Sequence, residues 1–251
     1  MTVPSYVFLV GAAQNPFVTA WFDSDFIGKM VFTALVGLSL ISWTIIIHKL
    51  WVTRRMKEES LLFKRSFFEQ KSNPLAITYA RATHPETPNA FHIVYEVLKS
   101  KASELLEKNQ KGKGGEEGAT RNFQLSVSDL ALLETLACSA ISTVTKYLER
   151  NLYLLSTIVT LAPFLGLLGT VYGILVTFSG LGEGAMGSNA QVLGGISLAL
   201  TTTVLGLLNA IPALVGYNYL KNSIVEFDHE MERFATEVLA TFDMHYRTVE
   251  V

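Results

Sequence analysis

The chain has 251 residues, of which 49% are hydrophobic and only 17% are charged, and its mean hydropathy is +0.33. In soluble domains about a quarter of all residues are charged, so this composition favours an integral membrane protein. The net charge of −2 excludes a general attraction to nucleic acid, and the single cysteine excludes an intrachain disulfide.

Residues 1–26 are predicted to form a periplasmic or interfacial segment that is retained on the chain. Residues 3–13 are apolar and end in small side chains, as a signal peptide would, but no Lys or Arg precedes them. The positively charged region of a signal peptide is therefore missing. Phe17, Trp21 and Phe22 lie next to Asp23, which is typical of a short helix at the membrane surface.

Three uncharged runs are long enough to cross a bilayer. They cover residues 30–47, 151–182 and 184–220, and Glu183 is the only charged residue that separates the last two. About 20 helical residues span a hydrocarbon core of roughly 30 Å. We place the three transmembrane helices at 27–47, 151–178 and 191–217. The turn between the last two is placed at 179–190.

The basic residues predict the orientation of these helices. The chain has no Lys or Arg before Lys29 and none in residues 179–190, whereas residues 48–150 contain sixteen. Lys and Arg near the ends of spans remain in the cytoplasm. The amino terminus and the turn at 179–190 should therefore be periplasmic, and residues 48–150 and 218–251 should be cytoplasmic.

The cytoplasmic residues predict long helices that continue the spans. A helix should run on from the first span to about residue 72, before Asn73-Pro74. The glycine-rich, charged residues 108–120 predict a flexible loop. No Gly or Pro interrupts residues 122–162, so a helix there should run straight into the second span. The tail, 218–251, predicts a helix with an apolar seam at Leu220, Ile224, Phe227, Met231, Phe234 and Val238.

The last two spans carry a specific pattern of small residues. Ala162-Pro163 precedes the sequence GLLGTVYGI at 166–174, and the third span contains Gly195-Ile196, Thr203, Gly206-Leu207 and the sequence AIPA at 210–213. This pattern resembles the MotA/TolQ/ExbB proton channel family, and SWTIIIHK at 42–49 looks more like TolQ than like the flagellar subunit MotA. The resemblance implies an all-α membrane protein of the bacterial inner membrane, with three spans, assembled as a homo-oligomeric ring of five copies.

Thr170 and Thr203 fall where the pore-facing threonines of the family lie, so the resemblance implies that they face the ion path. A threonine in a span can instead bond back to the preceding turn, which is the interpretation we favour for Thr177, Thr201 and Thr202. Glycines let helices approach closely, and prolines free a carbonyl and bend a helix. Further pore-lining or helix-packing candidates are Pro163, Gly166, Gly169, Thr177, Ser197, Gly206 and Pro212.

The uncharged runs at 151–182 and 184–220 contain no Asp, Glu, Lys, Arg or His. Acids buried in a membrane usually mark ion paths, so a partner must supply the group that carries a proton. The resemblance implies a TolR/ExbD-like single-span protein with a membrane aspartate, present as two copies inside the ring. The expected coupling ion is H⁺, with Na⁺ as the alternative, and no other cofactor or metal is expected. Leu198 stands where TolQ and ExbB commonly carry a glutamate.

These observations predict a channel-forming subunit of an ion-driven motor, which energises a periplasm-spanning partner for outer-membrane-linked work or transport. The alternative is a structural membrane scaffold that recruits partners through its cytoplasmic helices. An enzyme is disfavoured, because the five histidines lack metal-ligand spacing and no nucleophile or phosphate-loop motif occurs.

Overall fold

The structure is a computed structural model, and it describes residues 16–22, 25–70, 73–77, 88–112, 124–182 and 189–247. The helices in this part of the chain are α1 (Pro16–Phe22), α2 (Phe26–Glu69), α3 (Ala90–Gly112), α4 (Val127–Glu149), α5 (Leu152–Gly182) and α6 (Asn189–Tyr246). The prediction of an all-α fold is confirmed for the residues described.

Four of the helices, α2, α4, α5 and α6, are long and apolar enough to cross a membrane by length and composition. That is one more than the three spans predicted, and the additional helix is α4. The chain divides into two compact units, Met1–Ile47 with Asn151–Tyr219 and His48–Arg150 with Leu220–Val251. The division falls within two residues of the predicted limits of the spans, and α4 belongs to the second unit.

The first unit packs its helices through a small apolar core. Val31 and Leu35 of α2 lie against Ala162 of α5 and Ala210 of α6, and Leu165 and Leu205 pack around them. Alanine on two of the three helices leaves room for the backbones to approach each other closely. The first unit is therefore held by close contact between helices rather than by large interlocking side chains.

The second unit is built around a cluster of aromatic side chains. Phe91 of α3 stacks on Phe234 of α6 with ring centroids 4.6 Å apart, and Phe63 and Phe67 of α2 pack against Phe234 and Tyr95. Burial raises the pKa of Tyr95 to about 12, with Glu96 contributing. The predicted apolar seam of the tail is confirmed as core, since its members are at most 1% exposed: Leu220, Ile224, Phe227, Met231, Phe234 and Val238.

The start of α4 is fixed by a capping box. The Ser126 hydroxyl accepts from the Asp129 N–H, and the Asp129 carboxylate accepts from the Ser126 N–H at 2.9 Å. The amide of Asn109 on α3 also donates to Asp129. Burial by itself would raise the pKa of Asp129, but these hydrogen bonds and Lys108 outweigh it and lower that pKa.

The prediction that one helix runs from the cytoplasmic domain straight into the second span is wrong. Helix α4 ends at Glu149, and α5 begins at Leu152. Between them, Asn151 has a φ of 71°, a left-handed conformation that asparagine adopts more readily than most residues. The Lys49 ammonium donates to the Leu148 carbonyl at 2.8 Å and satisfies one of the carbonyls left open at the end of α4.

Several predicted boundaries also shift. The loop predicted at 108–120 starts too early, because residues 108–112 belong to α3, while residues 113–120 lie outside the described part of the chain. Helix α5 extends to Gly182 and α6 begins at Asn189, so the ends of the predicted turn at 179–190 are helical, and residues 183–188 lie outside the description. Residues 1–15, 23–24 and 248–251 lie outside it too, whereas Pro16–Phe22 forms the short helix expected.

Candidate functional site: the seam between α5 and α6

The backbones of α5 and α6 touch at glycine positions. A Cβ atom added at Gly173 would lie 2.6 Å from the Gly195 carbonyl oxygen, and one added at Gly206 would lie 2.7 Å from the Ala162 carbonyl oxygen. Ordinary contact distances begin at 3.4 Å, so no larger side chain fits without moving a backbone. Glycine is therefore required on both helices, because the two backbones themselves are the packing surfaces.

Thr202 is the side chain that fills the middle of this seam. It is fully buried, and its hydroxyl donates to the carbonyls of Leu198 and Ala199 at 3.0 Å. A Cβ added at Gly169 would overlap the Thr202 side chain. Thr202 thus packs into the space that Gly169 leaves open, and its hydroxyl bonds back along α6, as predicted for this residue.

Thr203 makes a different hydrogen bond. Its hydroxyl donates to the Gly166 carbonyl on α5 at 3.1 Å, so it bridges the two helices, and its side chain stays partly exposed. Thr170 lies four residues after Gly166, one turn further along the same face of α5. The structure therefore brings the two predicted pore-facing threonines to within about one helical turn of each other along the seam.

The Thr170 hydroxyl also has a partner in its own helix. It donates to the Leu167 carbonyl at 2.6 Å, while the side chain remains partly exposed. A hydroxyl that donates to a carbonyl keeps its two lone pairs as acceptors. Thr170 and Thr203 can therefore both accept a hydrogen bond from an acid or a water molecule on the exposed side of the seam.

The other candidates divide into two groups. Pro163, Ser197 and Pro212 are partly exposed, whereas Gly166, Gly169, Gly206 and Thr177 are buried. The Thr177 hydroxyl donates to the Gly173 carbonyl at 2.9 Å, four residues earlier in the same helix. Residues seven apart rotate by about 20° on a straight α-helix, so the stripe through Pro163, Thr170 and Thr177 turns from the exposed side towards α6.

Leu198 is packed inside the first unit. Its side chain is 4% exposed, and its carbonyl accepts from Thr202. The position at which related proteins commonly carry a glutamate is thus occupied by an apolar side chain in contact with its own protomer. No carboxylate is therefore available at that position.

Asn209 is a polar residue of the first unit that the sequence reasoning missed. Its amide donates to the Leu35 carbonyl of α2 at 3.3 Å, and its side-chain oxygen accepts from the Ser42 hydroxyl at 3.4 Å. Asn209 is buried, so these bonds are made away from water. An amide in the middle of an uncharged run of 37 residues was the available signal, because side-chain amides hydrogen-bond across helices in membranes.

The seam offers oxygen atoms but no Asp, Glu, Lys, Arg or His, since residues 151–182 and 184–220 contain none of them. The hydroxyls of Thr170, Thr203 and Ser197 are among the partly exposed polar groups of these two helices. Hydroxyls accept and donate hydrogen bonds, but they do not change their protonation state near neutral pH. The arrangement can orient a proton carrier, but it cannot be one.

Comparisons with known proteins identify relatives of this chain. Residues 116–233 match the MotA/TolQ/ExbB proton channel family. The biopolymer transport protein ExbB of Pseudomonas putida is 30% identical over 221 residues, which are 86% of this chain and 60% of that protein. The ExbB of Aquifex aeolicus is 43% identical over 81 residues, 32% of this chain and 55% of that one. The chain therefore spans little more than half the length of these two relatives.

A third relative matches over nearly its whole length. The Tol-Pal system protein TolQ of Haemophilus influenzae is 24% identical over 229 residues, which are 90% of this chain and 92% of that protein. The similarity to ExbB and TolQ proteins thus extends well beyond the α5–α6 seam. Together with its apolar helices, it indicates a bacterial inner-membrane protein.

Proposed function

Because the chain belongs to the MotA/TolQ/ExbB proton channel family, we propose that it is the channel-forming subunit of a TolQ/ExbB-like motor driven by the proton motive force. It would energise a periplasm-spanning partner for outer-membrane-linked work or transport. The observation that carries this proposal is the pair of partly exposed hydroxyls at Thr170 and Thr203, placed one turn apart on a seam without Asp, Glu, Lys, Arg or His.

The proposed topology has three spans, and α4 remains in the cytoplasm. Helix α4 is apolar enough to cross a membrane, but it packs in the second unit with helices that carry most of the charged residues of the chain. The Thr145 hydroxyl of α4 donates to the Asp228 carboxylate on α6, and Lys49 caps the end of α4. Placing α4 in a bilayer would strip Asp228 and Lys49 of water, which is costly for charged groups.

The proposed assembly is a ring of five copies around two helices of a TolR/ExbD-like single-span protein. A membrane aspartate on each of these helices would carry the proton, because the second and third spans of this chain contain no acid. Thr170 and Thr203 would accept hydrogen bonds from the protonated aspartate and stabilise it in a membrane interior where an unpaired polar group is expensive.

Proton flow through this ring would drive rotation of one component against the other. Each elementary charge that moves down the membrane potential releases about 2.3 kcal/mol per 100 mV. The aspartate would take up a proton on the periplasmic side and lose it on the cytoplasmic side. Five equivalent hydroxyl pairs would give it successive binding positions. H⁺ is the proposed coupling ion, with Na⁺ as the alternative, since hydroxyl and carbonyl oxygens also bind hard cations.

The experiment is a flux measurement in proteoliposomes that contain the ring and its co-purified single-span partner. Thr170→Val and Thr203→Val keep the shape of the side chain and remove the hydroxyl, so proton flux driven by an imposed potential should be lost while insertion and assembly are retained. Thr170→Ser and Thr203→Ser should restore it. The matched control is Thr160→Val, an exposed threonine of α5 that also bonds back to its preceding turn.

Flux at the wild-type level in a variant that lacks both hydroxyls would reject the proposed roles. The scaffold alternative makes the opposite prediction for the whole complex, since a scaffold conducts nothing and its partner binding does not depend on the membrane potential. A wild-type complex without potential-driven flux, with partner recruitment intact, would favour the scaffold.

A further inference from the structure

Helix α4 presents an unusual outer face in the second unit. Between residues 131 and 143 it exposes eight side chains, of which only Glu134 is charged; the others are Ala131, Leu132, Thr135, Cys138, Ser139, Ser142 and Thr143. Stretches of the same length on neighbouring helices differ. Residues 96–108 of α3 and 221–233 of α6 each expose seven side chains, four of them Asp, Glu, Lys or Arg. A solvated cytoplasmic helix has little reason to be so poor in charge.

A second apolar feature lies on α2. Leu61 and Leu62 of α2 are adjacent and are 50% and 52% exposed. The exposed aromatic residues of this stretch, in contrast, are covered by cations. Arg55 lies over the Trp51 ring and Lys64 lies over the Phe68 ring. The leucine pair is therefore an apolar spot on an otherwise polar helix face.

Helices α6 and α3 each contact both α2 and α4 in the second unit. Helix α6 contacts α2 through Lys57 and Glu226, and it contacts α4 through Thr145 and Asp228. Helix α3 also contacts both α2 and α4.

The contacts of α3 are made by aromatic and polar side chains. Its Tyr95 packs against Phe63 of α2, and its Asn109 donates to Asp129 of α4. A closed ring of identical copies requires two different surfaces on each subunit, because each contact joins one surface to the other, and the exposed faces of α2 and α4 are two such surfaces.

The two surfaces also match in height along the bundle. Lys49 of α2 and Leu148 of α4 are in contact. The two helices run in opposite directions, because α6 is parallel to α2 and antiparallel to α4 by its contacts with each. Leu62 lies 13 residues beyond Lys49, and Thr135 lies 13 residues before Leu148, so both are about 20 Å from that contact at 1.5 Å per residue. In a ring whose axis follows the bundle, Leu62 of one copy faces the small residues around Thr135 of the next.

The charges at this height are complementary. Glu134 lies 14 residues from the Lys49–Leu148 contact, and Arg65 on α2 lies 16 residues from it, a difference of about 3 Å along the axis. Both side chains are exposed. The single acid on the face of α4 can therefore pair with a base beside the leucine pair, while the uncharged residues accept the leucines.

We propose that the outer face of α4, formed by Ala131, Leu132, Thr135, Cys138 and Ser139, docks onto Leu61 and Leu62 of a second copy of this chain. The contact repeats around the ring, on whose existence this inference rests. It adds a cytoplasmic interface to the assembly and keeps neighbouring copies in register. The small side chains of α4 permit close helix packing, and Glu134 with Arg65 selects the register.

The experiment uses Cys138, the single cysteine of the chain, which is exposed at the centre of the face. A Leu62→Cys variant that retains Cys138 should be linked by a short bis-maleimide, in native membranes, into a ladder of products that ends at the closed ring. A link within one copy keeps the mass of a single chain and therefore adds no product to the ladder. Wild type, with Cys138 alone, should stay monomeric on a denaturing gel.

The matched control is Val225→Cys with Cys138 retained, because Val225 is exposed to a similar extent on α6. It should give no ladder. Arg65→Glu in the Leu62→Cys background should lower the yield of the ladder, and adding Glu134→Arg should restore it. Dimers of wild type through Cys138, or equal ladders from Leu62→Cys and Val225→Cys, would overturn the proposal.

A mass measurement on the purified complex separates this inference from the proposed function. A ring of the proposed mass without a Cys138 to Leu62→Cys ladder means that the docking surface is wrong and the channel proposal stands. A monomeric mass contradicts both.

Discussion

The close approach of α5 and α6 predicts that Gly173→Ala is strongly destabilising. The new Cβ atom would lie 2.6 Å from the Gly195 carbonyl oxygen and 3.0 Å from the Ala199 side chain. Restoring a contact of 3.4 Å to the oxygen requires the two backbones to separate by about 0.8 Å, which costs about 1–3 kcal/mol in a well-packed interior.

The control for this substitution is Gly37→Ala in α2. A Cβ atom at Gly37 meets no atom within 4 Å, so this variant changes helix propensity alone. Alanine favours a helix by up to about 1 kcal/mol over glycine, and this gain is common to both variants. The difference between them therefore isolates the packing cost, which we expect to be about 1–3 kcal/mol.

The assay is the free energy of unfolding in mixed micelles, with denaturing detergent as the titrant and helix content as the signal. Gly173→Ala should unfold at a lower detergent fraction than wild type, whereas Gly37→Ala should unfold at the same fraction or a higher one. Equal stability of the two alanine variants would refute the conclusion that the α5 and α6 backbones are in contact at Gly173.

Three further substitutions test other contacts in the same assay. Asn209→Leu removes the hydrogen bonds to α2 and should lower the free energy of unfolding by about 0.6–1.7 kcal/mol; no loss would mean that these bonds contribute nothing. Leu198→Glu buries an acid and should cost about 2.5–3.5 kcal/mol, so a fully stable variant would contradict the packing of Leu198 inside the protomer. Burial, with Arg150 nearby, lowers the pKa of Lys49, so the folded chain releases this proton before the unfolded chain does. Stability should therefore rise with pH between that lowered value and 10.5, and a Lys49→Met variant should lose the rise; an unchanged slope would exclude Lys49 as its source.

The sequence predicted helices well where an apolar pattern and its packing agree. The seam of the tail repeats at threes and fours, and the structure buries Phe227 and Phe234 completely against aromatic residues of other helices. The helix that continues out of the first span was also predicted, since α2 runs unbroken to Glu69, before Asn73-Pro74. In both cases local preference and tertiary contacts favour the same structure.

The break between α4 and α5 could not be derived from glycine and proline alone. Asn151 was the available signal, because asparagine is the residue other than glycine that most readily ends a helix in the left-handed conformation. The Lys49 cap of Leu148 joins residues 99 positions apart, so no local pattern predicts it. The same holds for Thr203 and Gly166, whose hydrogen bond depends on the register of two helices.

The candidate site was chosen by residue type, and the contacts show which of its side chains are accessible. Thr170 and Thr203 were chosen together, and the structure places them one turn apart on the partly exposed side of the seam. Thr177 follows the same sequence spacing but is buried against α6, because the stripe rotates around the helix. Only the register of α5 against α6 decides which threonines remain accessible.

The central claim is that this chain supplies hydroxyls and a partner supplies the acid. The most direct measurement compares potential-driven proton flux in vesicles that contain this chain alone with flux in vesicles that contain the chain and its single-span partner. Flux should occur only with the partner, and an Asp→Asn change in the partner's span should abolish it. Equal flux through the chain alone would show that protons cross without an external carboxylate, and it would contradict this account.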